Sequence, residues 1–325
     1  MPDVPVKEAG SPAVPGESTA LGIPAVVVRM VASRGQPMSQ FKIGVLADSF
    51  RLPPREGVRR AKELGADGVQ VYAVRGEITP EGLDRAARAE FRSFCGSLGL
   101  EIAALCGDLG GHGFERAAEN PAKVERSKRI VDLAADLGTR VVTTHVGVIP
   151  GDPAAPAFRA ILAACRELGA YAAKKCVTLA IETGPEPAAV LRALLDAAGS
   201  PGVGVNLDPA NLVMVTGDDP VAAVATLGAY IVHTHAKDGR KLRPCAAAEV
   251  YGAFAAGGFE QLERRMGKLF AEVPLGEGQV DWDRYLAALK AAGYRGYLTV
   301  EREVGADPAA DIGKAVRFLR AKLGD

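Results

Sequence analysis

VTLAIETG (177–184), GVGVNLD (202–208) and YIVHTHAKD (230–238) decide the fold of this chain. Each is a short run rich in Val, Ile and Leu, without the apolar–polar alternation of a half-solvated strand. Parallel strands buried on both faces have this pattern. The same unit recurs on either side. KIGVLAD (42–48), GVQVYAV (68–74), EIAALCGD (101–108) and RVVTTHVG (140–147) precede these three runs, and YLTVERE (297–303) follows. Helical stretches are predicted from Pro53 to Leu64, Pro80 to Leu98, Pro121 to Leu137, Pro156 to Ala173, Ala188 to Ala198, Pro220 to Leu227, Trp282 to Ala292 and Pro308 to Leu323. Gly65, Gly99, Gly138 and Gly293 stand at helix ends, where a left-handed cap favours glycine.

Eight strand–helix units predict an α/β fold, a (β/α)8 TIM barrel, and the chain from Phe41 onward is close to the ~250 residues typical of one. A doubly wound open sheet would carry a Gly-rich phosphate turn after its first strand, where this sequence has Ala47-Asp48-Ser49-Phe50. Two segments stand outside the repeat. Residues 1–40, opening MPDVPVKEAGSPAVPGESTA, are rich in Pro, Ala, Gly and Ser and predict a disordered extension ahead of a catalytic domain at 41–325. They lack the basic and apolar regions of a secretory signal. Residues 239–278 are far longer than a usual βα loop. The periodic piece AEVYGAFAAGGFEQLERRMGKLF within them predicts a helical insertion over the barrel mouth, either a lid, a dimer contact or an excursion without a role.

Lys plus Arg and Asp plus Glu each number 39, so the formal net charge is zero. That balance argues against a dedicated nucleic-acid or anionic-membrane surface. No run reaches the ~18 uncharged apolar residues of a membrane span; the nearest candidate, Ile23 to Val31, contains Pro24 and Arg29. Cys95, Cys106, Cys165, Cys176 and Cys245 form no CxxC pair and read as reduced, mostly buried cysteines of a cytoplasmic protein. Four histidines are too few for a Cys/His zinc module.

Functional groups of a barrel sit at the carboxyl ends of its strands. Here those ends are His145, Glu182, Asp208, His235 and Glu301, with Asp108 just past strand three. Singly, each has a plain reading as a cap or surface ion pair, and Asp208-Pro209 suits the start of a turn. Together they are costly, because converging buried carboxylates repel or shift protonation unless a cation is present. A divalent metal held by Glu182, Asp208, His235 and Glu301 resolves this. Three oxygens and one nitrogen suit Mn²⁺ first, with Mg²⁺, Co²⁺ or Zn²⁺ as alternatives. His233, two residues deeper than His235, reads as a hydrogen-bonded core histidine. Lys237 shares the inward parity of His235. It either meets a substrate carboxylate or phosphate or, more plainly, pairs with Asp238 or Glu303 at the rim. Asn206 is placed to orient a ligand from behind, and Trp282 and Tyr285 read as packing.

LAIETG, VNLDPANLVM, IVHTHAKD, PLGEGQVDW and YLTVERE, in this order, resemble the xylose-isomerase-like TIM-barrel family, over Phe41 to the C-terminus. That family groups sugar and sugar-phosphate isomerases and epimerases with AP endonucleases of the endonuclease IV type. The resemblance implies metal ligands at Glu182, Asp208, His235 and Glu301 and, as in the ketose epimerase branch, an acid–base pair at Glu182 and Glu301. It implies substrate contact at His145 and at Asn211, where some members carry a histidine; Lys237 and Asp108 complete the expected substrate-binding set. The implied chemistry is proton removal beside a carbonyl, with the metal polarising the oxygen and stabilising the enediolate. Reprotonation of the same carbon from the opposite face gives an epimer, and of the neighbouring carbon an isomer. Loss of water from an inosose-like hydroxy-ketone would make the enzyme a dehydratase. The expected substrate is a small sugar, sugar phosphate or cyclitol, and a homo-oligomer is compatible with the sequence. A nuclease is disfavoured, because strand three ends Cys106-Gly107-Asp108 rather than in a histidine and Asn211 replaces another ligand. A sugar-binding barrel without turnover is the remaining alternative.

Overall fold

In chain order the elements are β1 (Lys42–Leu46), α1 (Pro54–Glu63), β2 (Gly68–Tyr72), α2 (Arg85–Ser97), β3 (Glu101–Cys106), α3 (Asn120–Leu137), β4 (Val141–Thr144), α4 (Pro156–Lys174), β5 (Thr178–Glu182) and α5 (Ala188–Ala198). Then follow β6 (Val203–Leu207), a single turn α6 (Pro209–Asn211), α7 (Pro220–Leu227), β7 (Ile231–Ala236), β8 (Asp238–Lys241), α8 (Ala247–Ala255), α9 (Phe259–Met266), β9 (Phe270–Val273), α10 (Trp282–Ala291), β10 (Tyr297–Val300) and α11 (Pro308–Leu323). This computed structural model describes residues 40–324. The expected extension over 1–40, save Gln40, and the apolar run at 23–31 fall outside them.

Eight parallel strands close into a barrel in the order β1, β10, β7, β6, β5, β4, β3, β2. Continuous apolar runs suit this arrangement because both faces of each strand are covered. Ile130, Leu133, Ile161, Leu168 and Leu191 on the helices and Leu105 and Leu179 on the strands are all but inaccessible, each burial contributing about 1.5–3 kcal/mol. The predicted helix-end glycines take left-handed backbone, with φ of 89° at Gly65, 69° at Gly99, 84° at Gly138 and 79° at Gly293. Each barrel strand ends one to three residues before the end of the apolar run that announces it. The second helix begins at Arg85 rather than Pro80, because the Asp84 side chain accepts from the Ala87 amide at 2.8 Å and caps it there.

The stretch after β7 is not purely helical. Its two ends pair as an antiparallel hairpin, Asp238 opposite Val273 and Lys241 opposite Phe270, with α8 and α9 between them. Val250, Leu262 and Leu269 pack with Met214 and Val215 into a second small core. All five cysteines are free, with Cys95, Cys106 and Cys165 buried. No single helix among the described residues is long and apolar enough to cross a membrane.

Candidate active site

Strands β5, β6, β7 and β10 are consecutive neighbours around the barrel. Glu182 ends β5, Asp208 follows β6, His235 lies near the end of β7 and Glu301 follows β10. The register sets Glu182 opposite Asn206 and Asn206 opposite His233, so these side chains share one end of the barrel. One donor atom from each of the four residues lies within 4.8 Å of the other three, and all four residues are buried. His235 Nδ1 is 3.5 Å from Glu182 Oε1, 3.5 Å from Asp208 Oδ2 and 3.3 Å from Glu301 Oε2.

Asp208 serves two purposes at once. Its Oδ1 accepts from the Ala210 and Asn211 amides at 2.8 and 3.0 Å, capping the α6 turn as the Asp-Pro pair suggests. Its Oδ2 meets no hydrogen-bond donor, although the residue is 0% exposed. A buried carboxylate oxygen without a donor is expensive, and a divalent cation seated among the four groups would satisfy it. The donor set therefore fits the expected metal.

The neighbours fix the orientation of these groups. Gln70 Oε1, which can only accept, lies 3.2 Å from Nε2 of both His233 and His235. Gln70 favours an N–H at His235 Nε2, which leaves Nδ1 to the carboxylates, while the Asn206 amide also approaches Nε2 at 3.3 Å. Burial, together with the charge on His235, lowers His233 to about 3, so it is a neutral core histidine. Asn206 Nδ2 donates to Glu182 Oε2 at 3.1 Å, and Asn211 Nδ2 donates to Glu182 Oε1 at 3.2 Å. Burial opposes charge on His235, yet Glu301 and Glu182 push it well above the ordinary imidazole range. Burial likewise opposes ionisation of Glu301, but His235 and Lys237 hold it well below the usual carboxylate range.

Lys237 is not at the rim. It is 3% exposed and donates to Glu301 Oε2 at 2.9 Å and to Glu303. The rim pairing with Asp238 does not form, because Asp238 turns the other way. It accepts from the Gly276 amide at 3.0 Å, the Val280 amide at 3.2 Å and Trp282 Nε1 at 3.0 Å, tying the hairpin to α10. Glu272 of β9 extends the Lys237 network, accepting from Arg302 Nη1 at 2.6 Å, while Arg302 Nε reaches Asp311 at 2.9 Å.

The opposite wall is less complete. His145 Nδ1 donates to Asp108 Oδ2 at 3.1 Å, while its buried Nε2 points to within 3.9 Å of Glu182 Oε1 and has no hydrogen-bond partner. Burial opposes its charge, but Glu182 and Asp108 raise it to about 10. Tyr251, from α8, sets its ring 5.8 Å from the His145 ring. Gly184 has a φ of 143°, and a Cβ there would collide with the Tyr251 hydroxyl, so glycine lets α8 come this close. Behind Tyr251, Phe254 stacks on Phe259 at 4.1 Å and Phe259 on Phe270 at 5.5 Å. Glu186, four residues beyond Glu182, is 3% exposed and neither of its carboxyl oxygens makes a hydrogen bond. Burial pushes it up to about 8 against the pull of His145 and of the Ile149 backbone amide, which approaches it without normal hydrogen-bond geometry.

Gln70, Glu186, Tyr251 and Glu272 are absent from the set of residues read from the sequence. Gln70 carried a usable signal, a lone amide inside the apolar run GVQVY. Glu186 lies between two prolines and resembles any loop carboxylate. Tyr251 and Glu272 reach the mouth only because the hairpin folds back, and nothing local in the chain announces that.

A family model described as xylose isomerase-like TIM barrel matches residues 58–322. L-ribulose-5-phosphate 3-epimerase UlaE of Escherichia coli is 25% identical over 284 residues, covering 82% of this chain and 89% of that protein. The protein of the same name from Salmonella paratyphi B is 26% identical over 287 residues, with the same coverage. Among solved structures, a xylose isomerase domain protein from Planctomyces limnophilus superposes with a TM-score of 0.69 at 23% identity, covering 89% of this chain and 98% of that one. D-allulose 3-epimerase from Methylomonas sp. gives 0.65 at 18% identity, covering 87% and 98%. The probable 3-DHS dehydratase AsbF from Bacillus anthracis gives 0.65 at 19% identity, covering 86% and 98%. With the closed barrel and a family match over most of its length, the chain belongs to the xylose isomerase-like TIM barrel family.

Proposed function

We propose that this protein is a divalent-metal-dependent sugar epimerase or isomerase that works by proton removal next to a carbonyl. The observation that carries it is the buried quartet Glu182, Asp208, His235 and Glu301, with donor atoms mutually within 4.8 Å and an Asp208 oxygen that meets no donor. These four residues would hold the metal, Mn²⁺ first by donor type and otherwise Mg²⁺, Co²⁺ or Zn²⁺. When bound, the ion would polarise the substrate carbonyl and offset the negative charge that follows proton loss.

The proton itself is handled by the two glutamates. Glu182 and Glu301 come from the two ends of the four-strand arc, which suits removal from one face of a carbon and return to the other. Lys237 keeps Glu301 ionised and in place. Glu182 is held instead by the neutral amides of Asn206 and Asn211. His145, oriented by Asp108, offers Nε2 to a substrate oxygen beside Glu182. The sugar-phosphate epimerases among the relatives support this chemistry.

Incubating ketoses with the Mn²⁺-loaded protein in D₂O tests the proposal. Deuterium should enter at one carbon, and Glu182→Gln and Glu301→Gln should each slow exchange by about 10²-fold or more. Full exchange in either variant contradicts the two-glutamate assignment. A product lighter by one water would show elimination from the same first step.

A further inference from the structure

The Asp108, His145, Glu186 and Tyr251 wall holds buried polar atoms that make no hydrogen bond of normal geometry within the protein, namely His145 Nε2 and both oxygens of Glu186. Leaving such atoms unpaired in a buried site costs about 1–3 kcal/mol each, a cost that a ligand can offset. We propose that this wall binds the uncharged, hydroxyl-bearing end of the substrate, so that the site takes free ketoses or cyclitols in preference to their phosphate esters. This rests on the epimerase or isomerase reading and names its substrate class.

Three observations carry it. The first is the chemistry of Glu186. Burial raises it to about 8, so near neutrality it is a carboxylic acid that both donates and accepts. An alcohol group likewise donates and accepts, whereas a phosphate dianion presents acceptors alone. The second is its position. Glu186 follows the Glu182 end of β5 by four residues and is 3% exposed, while Tyr251 brings its hydroxyl against Gly184 between them and its ring against His145. The unsatisfied atoms are therefore grouped on the side of the mouth where His145 Nε2 approaches Glu182.

The third is the state of the cations. Lys237 is taken by Glu301 and Glu303, and Arg302 by Glu272 and Asp311. Arg51 donates to the carbonyl oxygens of Glu303 and Gly305, and His145 is held by Asp108. Even with a doubly charged ion at the centre, positive charge does not exceed that of Asp108, Glu182, Asp208, Glu272, Glu301 and Glu303. A phosphate dianion would lose its hydration and gain among these groups only His145 Nε2, whose charge Asp108 and Glu182 already offset. An exposed cation it could reach at the rim is Arg75, beyond β2 and stacked over the Tyr72 ring at 4.4 Å.

The test uses the full Mn²⁺-loaded protein with D- and L-ribulose, D-fructose and an inosose, each ketose beside its terminal phosphate ester. Deuterium exchange and calorimetric binding are measured in parallel. At least one free compound should exceed its ester, or every ester in the case of the inosose, by about tenfold or more in kcat/KM and in affinity. Glu186→Ala should raise its KM about tenfold, with a smaller fall in kcat. Nearly isosteric Glu186→Gln, whose amide also donates and accepts, should recover most of that loss. Preference for an ester, particularly one that Arg75→Ala abolishes, overturns the inference. So does an unchanged KM in Glu186→Ala. Should nothing exchange, the proposed activity falls, and calorimetry still decides the inference. Tighter binding of a free compound upholds it; tighter binding of an ester, or of none, overturns it.

Discussion

On the β7 and β10 side of the mouth, Lys237 donates to Glu301 and Glu303, Glu272 reaches in from the hairpin to Arg302, and Arg302 continues to Asp311. On the β3 to β5 side, Asp108 orients His145, but His145 Nε2 and both Glu186 oxygens meet no partner. The closed network compensates each buried charge and holds Glu301 rigidly, which a proton-transferring carboxylate needs. The open wall keeps unused hydrogen-bonding capacity, which suits a ligand better than the fold. One barrel end thus separates holding the reacting groups from recognising what reacts.

Breaking the closed wall should have the largest effect. Lys237→Met leaves Glu301 buried beside Glu303 and Asp208 without its ammonium, and should cost about 3–5 kcal/mol of stability, read by urea unfolding of chelator-treated protein. A loss below about 1 kcal/mol would show that the wall is not a closed network.

The open wall should respond to pH instead. Glu186 has a pKa of about 8 in the folded protein against 4.5 ordinarily, so the folded state binds its proton more tightly. Its contribution is fully present below about pH 4.5 and is lost as pH rises through 8. Glu186→Gln should therefore be more stable than the native protein at pH 9, by on the order of 2–3 kcal/mol, and nearly equal to it at pH 4.5. Thermal unfolding across that range would show the difference, and parallel curves would place Glu186 in contact with solvent.

The smallest effect sits between the walls. Gln70→Leu removes the acceptor that favours an N–H at His235 Nε2 and should weaken Mn²⁺ binding about 10–100-fold, measured by calorimetry. Unchanged affinity would mean that the carboxylates alone orient the imidazole.

Much of this was legible in the chain because it is local. Apolar runs closed by Leu-Gly and Ala-Gly caps gave the strand–helix rhythm, and the polar residue after each run marked the barrel end. Asp208 shows how two readings coexist, since one oxygen caps a turn while the other faces the cluster. Lys237 pairs with Glu303 as its sequence position suggests but lies deeper than the rim, because parity gives the side on which a residue faces and not its depth. Glu272 and Tyr251 owe their positions to a hairpin closed between residues about 30 apart, β8 with β9, that periodicity does not reveal. Glu186 stands out only through what it lacks, and a missing partner is visible only once the neighbours are in place.

The proposed chemistry stands on one divalent cation held by Glu182, Asp208, His235 and Glu301. Its most direct test is calorimetric titration of Mn²⁺ into chelator-stripped protein, native and Asp208→Asn, the asparagine keeping the cap at the α6 turn while removing the charge. The native protein should bind one equivalent, and the variant should bind at least about 100-fold more weakly. No binding of Mn²⁺, Mg²⁺, Co²⁺ or Zn²⁺ by the native protein, or equal affinity in the two proteins, would contradict it.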